Sequence, residues 1–124
     1  MSTEEFYNHE LIYWGESIEF YLQETAIFEE RLKEVINKNT KLEILAVTEH
    51  FQNVFIIQKE SLDILGNDTT LQKERLVKDI KDNSTFDDLE TVDIQFLLRE
   101  RVHMAEKIFL ENKHSFYRFL ASVF

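Results

Sequence analysis

Leu11, Trp14, Ile18, Tyr21, Thr25, Phe28, Leu32 and Val35 follow one another at alternating spacings of three and four residues. A repeat of seven holds one stripe of a helix against its neighbours, so these positions predict a bundle helix from about Thr3 to Asn37. Ile44, Thr48, Phe51, Phe55, Leu62 and Leu65 predict a second helix, Lys41 to Leu65, after the short turn Asn37-Lys38-Asn39-Thr40. Gly66 suits a left-handed C-cap there, and Asn67-Asp68 completes a break. A short third helix, Thr70 to Asp82, carries Leu71, Leu76, Val77 and Ile80. The fourth begins near Phe86 and has the cleanest stripe, running through Leu98, Val102, Ala105, Phe109, Asn112, Phe116, Phe119 and Val123.

Helix-start signals agree with these boundaries. In a capping box a Ser or Thr accepts from the backbone N–H three residues on, where Glu or Gln reaches back. Ser2 with Glu5, Thr40 with Glu43 and Thr69 with Gln72 fit that pattern. Ser84 with Asp87, or Thr85 with Asp88, is an acidic variant that places negative charge in a first turn. Val54-Phe55-Ile56-Ile57 has strand propensity, yet helical periodicity on both sides assigns it to a helix. The expected fold is an all-α antiparallel bundle of one domain, residues 1–124, with three long helices and one short.

Lengths constrain how such a bundle closes. At 1.5 Å per residue the first and fourth helices are each about 50 Å long and the third only about 20 Å. An up-down-up-down four-helix bundle then leaves Phe109, Phe116, Phe119 and Val123 projecting into water. Two arrangements avoid this: the second and third helices continue as one broken rod in a three-rod bundle, or a second subunit covers the overhang. Tyr13, Phe20 and Ile27 recur every seven residues away from the main seam, as do Leu110, Tyr117 and Phe124, with Phe96 two heptads before Leu110. Each set is a second contact line, and Tyr13, Phe20, Ile27, Phe96, Leu110 and Tyr117 are the expected homodimer interface.

Composition narrows the function classes. The chain holds no proline and two glycines, Gly15 and Gly66, so helices run long without a built-in breaker. The absence of cysteine removes disulfides, thiolate metal sites and thiol nucleophiles, and fits a reducing cytoplasm. Met1-Ser2-Thr3-Glu4-Glu5 is acidic and leads into no apolar run, so neither a signal peptide nor a membrane span is expected. A net charge of −10 with no basic stripe repels phosphate backbones and makes nucleic acid an unexpected partner.

Candidate chemistry is sparse. Glu100 and His103 form the E-x-x-H spacing of di-iron carboxylate bundles, but it occurs once where two copies are needed, and the pair points away from the stripe of its helix. His9, His50, His103 and His114 lack the i, i+4 partners of a hemerythrin-type site. A metal site would have to gather Glu29, Glu49, His50, Glu100 and His103 across helices or subunits. Glu29 and Thr25 interrupt the apolar face of the first helix, and antiparallel pairing counted from Asn39 brings Glu29 level with His50. The expected role of Thr25, Glu29 and Asn112 is to fix register, as polar seam residues do in coiled coils. No Gly-flanked Ser or glycine-rich loop supports nucleophilic hydrolysis or phosphate binding. Accordingly no catalytic residue and no cofactor is assigned.

Arg31-Leu32-Lys33-Glu34-Val35, Asn39-Thr40, Glu49-His50-Phe51-Gln52-Asn53 and Phe55-Ile56 together resemble a group of small helical-bundle proteins of the Bacteroidetes. The resemblance covers about a quarter of the chain. It implies a helical fold and carries over no activity. The expectation is a non-enzymatic interaction or scaffolding module that self-associates. A metal-binding carboxylate and histidine bundle is the alternative, and a small apolar ligand between the helices is a third option.

Overall fold

The computed structural model describes residues 1–81 and 89–124. Three helices account for nearly all of them: α1 (Thr3–Lys38), α2 (Leu42–Lys81) and α3 (Leu89–Val123). No strand occurs among the described residues, and Val54 to Ile57 are helical, with Phe55 buried and Ile56 and Ile57 exposed. Ser2 caps α1 as its capping box predicts, its Oγ accepting from the Glu5 N–H at 3.2 Å. Thr40 stands one residue ahead of the α2 cap position, because the Lys41 carbonyl is the first to accept, from the Leu45 N–H at 3.1 Å. The start signals at Ser84 and Thr85 lie outside the described residues.

The predicted short third helix does not exist as a separate element. α2 runs through Gly66, Asn67, Asp68 and Thr69 without a break, so the chain makes three rods of similar length. The physical reason lies in the seam. Thr48, Phe51, Phe55, Gln58, Leu62, Leu65, Thr69, Gln72 and Leu76 are buried at strictly alternating spacings of three and four, so Thr69 and Gln72 belong to the core stripe and not to a cap. Thr69 donates from Oγ1 to the Leu65 carbonyl at 2.9 Å, which satisfies the hydroxyl inside a continuous helix. One mid-helix glycine costs about 1 kcal/mol, less than unpairing a turn and exposing Leu62, Leu65 and Leu76.

A substitution at Gly66 tests this continuity by its sign. A Cβ added there meets Ile18 Cγ2 at 3.6 Å, an ordinary contact. Gly66→Ala is therefore expected to raise stability by about 0.8–1 kcal/mol, read as a higher urea midpoint at unchanged m-value. A left-handed cap would give a loss of similar size instead, and that result contradicts the continuous rod.

Side-chain contacts fix the directions. Phe28 packs on Phe55 and Thr25 meets Gln58, so α1 and α2 are antiparallel. Gln72 meets Gln95 and Phe51 meets Phe116, so α3 is antiparallel to α2 and therefore parallel to α1. The core has two regions. Leu11, Trp14, Ile18, Leu62, Leu65, Leu76, Leu98 and Val102 form a mainly aliphatic one. Phe28, Leu32, Phe51, Phe55, Phe109 and Phe116 form the other, with rings 5.1–6.1 Å apart in stacked, tilted and edge-on pairs. Phe109 and Phe116 are thus inside the bundle, and no overhang of α3 remains to be covered.

Two polar layers cross this core. Asn112 Nδ2 donates to Gln58 Oε1 at 2.7 Å, Gln58 Nε2 donates to Thr25 Oγ1 at 2.7 Å, and Thr25 Oγ1 donates to the Tyr21 carbonyl at 2.7 Å. One chain of hydrogen bonds therefore ties all three helices at a single level. Nearer the other end, Gln72 Nε2 donates to Gln95 Oε1 at 3.1 Å and to the Thr91 carbonyl at 3.0 Å. Gln95 Nε2 in turn donates to the Tyr7 carbonyl at 3.3 Å and to Glu10 Oε1 at 3.2 Å. A slip by one heptad would leave these buried amides unpaired, so the layers select one register.

Candidate interaction surface

Thr25 and Asn112 have the register-fixing place predicted for them, but Glu29 does not meet His50. Its Oε1 pairs with Lys59 Nζ at 3.0 Å; the register set by Thr25 with Gln58 puts Glu29 level with Val54, about one turn past His50, and the long Lys59 side chain spans the rest. His50 is exposed and rests its ring edge on Phe51. Glu49 and Glu29 line one shallow groove between α1 and α2 with Lys33, Gln52 and Asn53. Glu100 and His103 are both exposed on α3. The five candidate ligands are therefore not brought together, and among the described residues no group of three or more His, Asp or Glu side chains is placed to hold a metal ion.

The residues of the second contact lines are exposed. Tyr13, Phe20, Ile27, Phe96, Leu110 and Tyr117 are each between 42% and 67% exposed, high values for side chains of this size. Across the α1/α3 seam Glu10 pairs with Arg99, and Ser17, Glu106 and Lys113 line the groove beside it; by helical periodicity the exposed stripes lie one step further out on each helix. Tyr13, Phe20 and Leu110 meet in one groove floored by Ser17, Tyr21 and Phe109. Phe6 extends the α1 stripe by another heptad and Phe124 ends that of α3, both about half exposed or more.

Ring contacts hold this surface in place. Tyr21 stacks on Phe109 at 4.5 Å between centroids and Phe20 sets its ring against Tyr21 at 6.0 Å. Tyr117 stands edge-on to the buried Phe28 at 5.7 Å, under the Lys113 ammonium at 5.6 Å. Burial pushes the Tyr21 phenol above its usual range, with Glu106 and then Tyr13 adding to the shift, so Tyr21 offers a neutral hydroxyl at the groove floor. At the entry end Arg99 forks onto Glu10, Nε to Oε2 at 2.6 Å and Nη2 to Oε1 at 2.5 Å, and lies 6.0 Å from the Trp14 ring. The hydrogen bond to Glu10 is the main cause that raises the Arg99 guanidinium further above its ordinary range.

A second apolar line was not predicted. Ile57, Ile64 and Leu71 recur every seven residues on the outside of α2, facing Leu97 and Ile108 across the α2/α3 groove, and all are exposed. It is aliphatic where the α1/α3 face is aromatic. The groove between α1 and α2 is mixed, with Glu29, Lys33, Glu49, Gln52 and Asn53 beside Leu32 and Ile56. No helix among the described residues is long and apolar enough to cross a membrane. Comparison with known proteins finds no match for this chain among family models, curated proteins or solved structures.

Proposed function

We propose that the protein is a non-enzymatic helical interaction module that self-associates as a homodimer through the α1/α3 face. The observation that carries this reading is the exposure of two heptad lines, Tyr13, Phe20 and Ile27 on α1 and Phe96, Leu110 and Tyr117 on α3, of which Tyr13, Phe20 and Leu110 line one groove. Aromatic side chains in a fixed frame are the usual anchors of protein interfaces, since they bring large contact area at small entropic cost. With roughly 100 Å² exposed on each half-buried ring, the face presents on the order of 700 Å² of mostly apolar surface, close to the 800 Å² per partner of a standard interface. A second copy of the chain fits that area without any further partner. The net charge of −10 argues against nucleic acid, and the lack of cysteine suits a reducing compartment such as the cytoplasm.

Phe20→Glu tests the assignment of the face. A two-fold interface meets each substitution twice, so the variant places two unpaired carboxylates in the seam and is expected to lower the sedimenting mass while the far-ultraviolet circular dichroism stays helical. Ile64→Glu, on the α2/α3 side, is expected to leave the mass unchanged. The reverse pattern would move the interface to the second groove.

A further inference from the structure

We infer that the two copies lie with their bundles pointing the same way, the two-fold axis running along the helices, so that α1 of each copy packs on α3 of the other. This rests on the self-association reading above and adds the geometry of the partner. Its starting point is that α1 and α3 are parallel within one chain, so both stripes climb the groove together. Glu10 meets Arg99, Tyr21 meets Phe109 and Phe28 meets Phe116, which sets α3 residues level with α1 residues 88 or 89 positions earlier. The stripes then pair as rungs ninety positions apart: Phe6 with Phe96, Tyr13 with His103, Phe20 with Leu110 and Ile27 with Tyr117.

A face built in this way can close on a copy of itself in two ways. With the axis along the helices, α1 faces the partner's α3 at the same height. With the axis across them, α1 faces α1 and α3 faces α3, each pair running in opposite directions. Apolar contact does not choose between these, but the rim does. The next row outward on α1 is His9, Glu16 and Gln23, and on α3 it is Glu100, Lys107 and His114, all exposed. The lengthwise axis sets His9 against Glu100, Glu16 against Lys107 and Gln23 against His114 of the second copy, each pair within about 4 Å along the helix direction. The crosswise axis, centred on the stripes, sets Glu16 against Glu16 and Lys107 against Lys107. Like charges facing each other at an interface rim are strongly disfavoured, and opposite charges there steer the approach of the two copies. The fixed charges of Glu16 and Lys107 thus select the lengthwise axis, since Glu100 meets a histidine in either arrangement, His9 lengthwise and His114 crosswise.

The absence of native cysteine makes cross-linking a clean test. Ile27→Cys protein is mixed with Tyr117→Cys protein, and separately with Phe6→Cys protein, and each mixture is treated with a short bis-maleimide. A covalent mixed dimer is expected from the first mixture and its loss in the second, because Ile27 is level with Tyr117 of the other copy only when the bundles run the same way. Cross-linking of Ile27→Cys to Phe6→Cys in preference overturns the inference, since those positions meet only across the crosswise axis. Failure of both mixtures in a chain that sediments as a dimer overturns it too. A monomeric sedimenting mass for the unmodified chain would instead remove the self-association reading itself, so the two failures are told apart.

Discussion

Phe116→Ala is expected to lower the stability of the fold by about 3–5 kcal/mol, the range for emptying a fully buried aromatic site. Phe116 has no exposed surface and touches Phe28, Phe51 and Phe55 at ring distances of 5.5, 5.3 and 5.1 Å, so each of the three helices loses a partner at once. Rings fixed by one another relax poorly around a cavity, which places the cost toward the upper end of the range. A domain of this size has a total stability of about 5–15 kcal/mol, so the variant stands near the edge of folding. Guanidinium unfolding of the variant and the unmodified chain at the same protein concentration, followed by circular dichroism, reads the effect with total concentration held equal. A shift of less than about 1 kcal/mol would mean that Phe116 is not at the centre of the phenylalanine cluster.

The second large effect is expected from Arg99→Met. The Glu10 side chain retains only 14% of its exposure, and the Arg99 fork and the Gln95 amide are what satisfy it. Removing the guanidinium leaves a mostly buried carboxylate short of two charge-assisted hydrogen bonds, at a cost of about 2 kcal/mol. Methionine keeps much of the stem packing beside Trp14, which isolates the charge from the shape. The double variant Arg99→Met with Glu10→Leu should recover a large part of the loss, because an apolar pair leaves no orphaned charge. Equal stability of the Arg99→Met variant and the unmodified chain would show that water reaches Glu10 and serves it as well as Arg99 does.

Much of the fold was legible in the sequence because a seam of seven-residue period leaves a regular record. Leu11 to Val35 on α1, Phe51 to Leu65 on α2 and Leu98 to Phe116 on α3 were read as core stripes, and their apolar members are buried or half-buried. The misreading began where the stripe turns polar. Thr69 and Gln72 match a capping box residue for residue, and Gly66 before them matches a helix end, so local chemistry gave a consistent but false boundary. A boundary there turns the expected face by a residue, onto Leu71, Val77 and Ile80, each of which is more than half exposed. The same shift hid the Ile57, Ile64 and Leu71 line. The signal that distinguishes the two readings was present: Leu62, Leu65, Thr69, Gln72 and Leu76 keep the three-four rhythm through the glycine, and a true break would reset it. Glu29 was placed beside the wrong partner for a different reason, since antiparallel register depends on how many residues the turn consumes, which spacing within a helix does not encode.

The surface was legible in part. Off-seam recurrence of Tyr13, Phe20 and Ile27 with Phe96, Leu110 and Tyr117 singles out residues that are large, apolar and exposed, but not that Tyr13 and Phe20 meet Leu110 at one groove. Their proximity follows from α1 and α3 being parallel, which only the three-rod topology provides.

Self-association through that groove is tested most directly by sedimentation equilibrium of the unmodified chain at several concentrations spanning tens of micromolar. The expected mass approaches twice the 14.9 kDa of one chain, falling to that of a single chain in the Phe20→Glu variant. A mass of one chain at every concentration would contradict it.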